Sequence, residues 1–124
     1  IKQAIYATPG AGEDLMNKAR ALSVKLEELE FTMNGLPAKA SGEEVPPAKM
    51  PINDRLSVIT YTHMGSTSGI TNTEKANYDI LKDEFPPVLE SLKSIVEDEI
   101  PALETELNKL GAPWTPGRLP NWKE

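Results

Sequence analysis

Cysteine is absent from the 124 residues, which excludes a disulfide framework and any thiolate metal site. That absence does not fix the compartment, because many exported bacterial proteins also lack cysteine. Histidine occurs once, at His63. Glu-x-x-His, the mark of a metal site in a helical bundle, occurs nowhere, so no metal or cofactor is expected. No apolar run approaches the ~20 residues that a membrane span needs. If the protein is exported, its signal is expected upstream of Ile1. Positive charge is short as well: 13 basic against 19 acidic side chains give a net charge of -6, which argues against a nucleic-acid-binding surface. What remains is one domain's worth of chain with a modest core.

The dominant feature is the stretch 73–110. Its apolar residues fall at Tyr78, Leu81, Phe85, Val88, Leu92, Ile95, Val96, Ile100, Leu103, Leu107 and Leu110. Steps of three and four mark one face of an α-helix. At ~1.5 Å per residue a continuous helix here runs about 57 Å, and the rest of the chain must pack along it. Pro86, Pro87 and Pro101 lie inside it, each removing a hydrogen bond at a cost of ~3 kcal/mol. The stripe keeps phase across them, so the pattern predicts one helix bent at one or both proline sites. Thr71 and Glu74 form a Thr-x-x-Glu capping box at its start, and Gly111 with Pro113 ends it.

The other elements are shorter. Ile1, Ala4 and Ile5 have helical spacing that stops at Thr8-Pro9-Gly10, which suggests the end of an incomplete helix over 1–7 and a chain cut from something longer. A second helix is expected over 13–34, with Leu15, Ala19, Leu22, Leu26, Leu29 and Met33 on one face. Glu13 and Asp14 sit in its first turn, and Asn34-Gly35 stops it. The proline-rich segment 35–51 reads as a crossover loop anchored by Leu36, Val45 and Met50. Asn53 is expected to cap a third helix over 53–64, which places Ile52, Leu56, Ile59 and His63 on one side. The last stretch, 111–124, holds Trp114, Trp122 and three prolines; it reads as an extended tail whose tryptophans pack on the bundle. The predicted fold is all-α: an up-and-down antiparallel bundle of three helices plus the end of a truncated fourth, with a long kinked C-terminal helix.

Few residues suggest chemistry. His63 reads as a half-buried packing residue or turn-end donor, since nothing points to the partners of a catalytic triad. The Gly65-Ser66-Thr67-Ser68-Gly69 turn lacks the strand and the Gly-Lys-Ser/Thr of a phosphate-binding loop. Between Asp83 and Glu106 lie eight acids against one base, Lys93, a balance of -7 that reads as a solvated ridge. That ridge and the tryptophan tail are candidate surfaces for a protein partner. No catalytic, cofactor-binding or metal-binding residue is assigned.

Asp54-Arg55-Leu56, the Thr/Ser/Gly turn at 65–73, Asp83-Glu84-Phe85 with Pro87-Val88-Leu89, and above all Gly111-Ala112-Pro113-Trp114-Thr115-Pro116-Gly117-Arg118 carry a resemblance. Together they resemble the C-terminal helical region of large exported bacterial β-propeller proteins with BNR/sortilin-type repeats, often labelled glycosyl hydrolases. The resemblance covers roughly Ile52 to Trp122. It implies a non-catalytic module beside a propeller in the same parent chain, with any active site in the propeller. It also implies a periplasmic, extracellular or cell-envelope location. The alternatives are a stand-alone interaction bundle, or an enzyme using His63 and carboxylates near the 60–73 turn.

Overall fold

The computed structural model describes residues 1–37 and 48–113. The expectations for Val45, Trp114 and Trp122 lie outside the described residues. The fold is all-α, with no strand among the described residues. The elements are α1 (Lys2–Tyr6), α2 (Glu13–Asn34), α3 (Ile52–Met64), α4 (Asn72–Ser94), a π-helical turn (Ile95–Glu99) and α5 (Ile100–Lys109). Contacts group the chain into two units, Ile1–Val24 with Ser94–Glu124, and Lys25–Lys93.

Among the described residues, the first unit holds nine of the ten buried hydrophobic ones: Ala4, Ile5, Leu15, Met16, Ala19, Leu22, Ile95, Leu103 and Leu107. Short α1 is therefore fixed by burial rather than by its own propensity, since five residues cannot hold a helix in water. The Thr8 hydroxyl seals its end by donating to the buried Ala4 carbonyl at 2.6 Å. On the rim, Lys18 Nζ donates to both carboxylate oxygens of Glu106 at 2.8 Å. That hydrogen bond holds the Lys18 ammonium above its ordinary value against the opposing desolvation, with smaller help from the charges of Glu106 and Asp14.

Pro101 dictates the π turn. Its missing N–H and its ring would both conflict with the Glu97 carbonyl in regular α geometry. The Ile100 N–H donates instead to Ile95 O, five residues back, which widens the spiral just before the ring arrives. The departure from α geometry thus spans five residues, where the sequence suggested a bend at the proline itself. Gly111 ends α5 with φ +70°, and the Ala112 N–H caps the Leu107 carbonyl at 3.1 Å.

In the second unit α3 and α4 run antiparallel, because Arg55 at the start of α3 meets Asn77 and Glu84, while His63 near its end meets Glu74. Gly35 closes α2 with φ +71°, its N–H donating to Phe31 O at 2.7 Å. A Cβ there would sit 2.7 Å from Pro51 Cγ, so the glycine is required twice over. The expected Asn53 cap is not formed. The helix begins one residue earlier, after extended Pro51, and the Asn53 amide reaches across to Asn34 Oδ1 at 2.6 Å. Pro86 and Pro87 sit inside continuous α4. The carbonyls they deprive of a donor belong to Lys82 and Asp83, which are exposed, so water can take the donor's place.

Burial in this unit departs most from the sequence pattern. Among the described residues, Ile52 is its only fully buried hydrophobic one, whereas fourteen of the eighteen exposed large apolar side chains lie between Lys25 and Lys93. Leu26, Tyr78, Phe85 and Leu92, all expected in the core stripe, are exposed; Leu29, Met33, Leu81 and Val88 are half-buried. The loop anchors Leu36 and Met50 are exposed too.

Candidate functional site

The capping box at the start of α4 is built as its residues require. The Thr71 N–H donates to Glu74 Oε2 at 2.6 Å, and the Glu74 N–H donates back to Thr71 Oγ1 at 3.2 Å. The Thr71 hydroxyl adds a bond to the same carboxylate oxygen at 3.0 Å. Donation from the Thr71 backbone, then from its hydroxyl, holds the Glu74 carboxyl below its ordinary value of 4.5 despite desolvation; the Thr62 hydroxyl and the His63 charge act in the same direction.

The other Glu74 oxygen faces His63 Nδ1 at 3.7 Å, an ion pair only when the imidazole is protonated. The His63 side chain is 56% exposed, so the expectation of a half-buried packing residue is corrected. It stands at the rim because the inward face of α3 is carried by Ile52, Arg55 and Ile59. Between the two helices lies an open groove of about 460 Å³. Ile59, Met64, Ile70 and Tyr78 form its apolar walls, with His63, Glu74 and Lys75 at its polar edge. Met64 is 84% exposed and neighbouring Tyr61 77%, values far from those of core residues.

Further along the hairpin, Arg55 Nη1 donates to Asn77 Oδ1 at 2.8 Å and its Nε lies 3.9 Å from Glu84 Oε2. Lys49 closes on the other Glu84 oxygen at 2.8 Å. Arg55 and Glu84 are largely buried, so Glu84 is withdrawn from the acidic ridge, whereas Glu106 pairs with Lys18 in an exposed position. The ridge is therefore not one solvated face.

No family model, curated protein or solved structure matches this chain. Its chemistry rests on the geometry alone. Glu84 and Glu74 stand roughly 15 Å apart along α4 at ~1.5 Å per residue, so Glu84 and His63 form no common site. An imidazole beside a carboxylate can relay a proton, but Glu74 is already committed to the helix cap. Among the described residues no three His, Cys, Asp or Glu side chains are placed to hold a metal ion, and no helix is long and apolar enough to cross a membrane. The pairing of Arg55 with Glu84 had no signal in the sequence, since helical spacing says nothing about residues on different helices. The groove was half visible, as Thr71, Glu74 and His63 were each singled out for other reasons.

Proposed function

We propose that this chain is a non-catalytic helical docking module of a larger exported protein of the BNR/sortilin-type propeller kind, and that the α3–α4 face is its contact surface. One observation carries the reading. The first unit has its own core, while the described residues of Lys25–Lys93 include a single fully buried hydrophobic one and fourteen exposed large apolar ones. Scattered surface apolar residues are ordinary, but Met64, Ile70 and Tyr78 are exposed together in the lining of one open groove, which favours an interaction site there. The sequence motifs give the partner class. Two of them, Asp54-Arg55-Leu56 and Asp83-Glu84-Phe85, meet in the Arg55–Glu84 pair, so both belong to the hairpin that presents the groove.

The test is direct binding between this chain and the separately produced propeller of the longer protein. Met64→Asp with Ile70→Asp should weaken that binding at least about a hundredfold, because each places a charge in a desolvated contact. Absence of binding by the unaltered chain, or binding indifferent to both substitutions, contradicts the reading.

A further inference from the structure

Along α4, Tyr78, Lys82, Phe85, Leu89 and Leu92 recur at steps of four, three, four and three, and every one of them is exposed. That is a coiled-coil seam with one polar position, lying about a quarter turn from the inward residues Glu74, Leu81, Glu84 and Val88. Its outer flank carries Asp79, Lys82, Glu90 and Lys93, all exposed. None of the four has an ion pair among the described residues.

Over these four residues the order of charge is minus, plus, Pro86, minus, plus. Reversed about Pro86, each sign falls opposite its complement: Asp79 meets Lys93 and Lys82 meets Glu90. In a parallel pairing this flank would face the opposite flank of the partner helix, and the four residues would not meet one another. From this self-complementarity we infer that α4 docks antiparallel on α4 of a second copy of this chain, with the two-fold axis at Pro86. An isologous contact requires this kind of symmetry, in which a patch is complementary to itself. The lysine in an otherwise apolar seam fixes register at some cost in affinity.

The seam spans about 21 Å at ~1.5 Å per residue. A strip that short, one helix wide, falls well below the ~800 Å² per partner of a stable complex. The dimer is therefore weak and forms as concentration rises. The contact is separate from the α3–α4 groove, apart from the shared Tyr78, and does not depend on the docking role proposed for it.

Sedimentation over a wide concentration range tests the pairing with the whole chain. The unaltered chain should pass from monomer to dimer. Lys82→Glu with Lys93→Glu makes the four positions all acidic, and Asp79→Lys with Glu90→Lys makes them all basic. Each double variant should remain monomeric, and an equal mixture of the two should associate at least tenfold more tightly than the unaltered chain. Tyr78→Ser should weaken self-association at least tenfold, with circular dichroism showing that the helices persist. An unaltered chain that stays monomeric overturns the inference, as do double variants that dimerise like it or a mixture that fails to associate. Because the charge variants leave Met64 and Ile70 untouched, propeller binding would survive those failures.

Discussion

Leu92 and Leu107 belong to one sequence stripe but to opposite environments, and replacing each with alanine separates burial from pattern. Leu107 is 2% exposed and Leu92 is 42% exposed. The change removes three carbons, worth ~0.8 kcal/mol each, or about 2.4 kcal/mol when burial is complete. A core that relaxes only partly adds a cavity term of about 1–2 kcal/mol. Leu107→Ala should therefore cost about 3–4 kcal/mol. At Leu92 the transfer contribution shrinks in proportion to burial, to about 1.4 kcal/mol, and water fills the space so that no cavity term is added. Urea unfolding followed by circular dichroism, at a concentration too low for association, gives both values from the shift in midpoint if the slope is unchanged. Equal losses would show that the α4 stripe is covered and would remove the basis for reading Lys25–Lys93 as an open face.

Thr71→Ala should destabilise the chain by about 1 kcal/mol through the lost cap, with faster hydrogen exchange in the first turn of α4. Because Glu74 has a lowered folded-state pKa, its stabilisation is present above its ordinary value and is lost as pH falls through the lowered one; Glu74→Gln should flatten this part of the acid-unfolding curve, and an unchanged curve refutes the assignment. Arg55→Ala should cost about 1–3 kcal/mol, less than the ~3–5 of a fully buried pair, while Arg55→Met, which fills the same space, should be near neutral in the same urea assay. Gly35→Ala should lose about 1–2 kcal/mol from the left-handed backbone alone, and more if Pro51 cannot move.

Local features were the legible ones. Thr71 and Glu74 announce a cap because both partners lie within one turn, and Gly35 and Gly111 announce stops because only glycine takes φ near +70° at no cost. Helices α2, α3 and α4 follow from spacing in the same way. Periodicity shows which residues share a side, however, and not what covers that side. Thus Leu81 and Val88 turn inward while Tyr78, Phe85 and Leu92, one step around the same helix, do not. The Arg55–Glu84 pair joins residues 29 positions apart, beyond the reach of any local rule. The π turn was announced by Pro101 but falls mostly before it, because the carbonyl that must move lies four residues earlier.

Hydrogen exchange at residues 59–64 and 72–78 tests the open docking face most directly. The comparison is between this chain alone and the same residues within the longer propeller protein that the proposal requires. If the face is a contact surface, these amides exchange at least tenfold more slowly in the longer protein, while those of the cored segment 103–107 exchange alike in both. Equal exchange at 59–64 and 72–78 in the two proteins contradicts it.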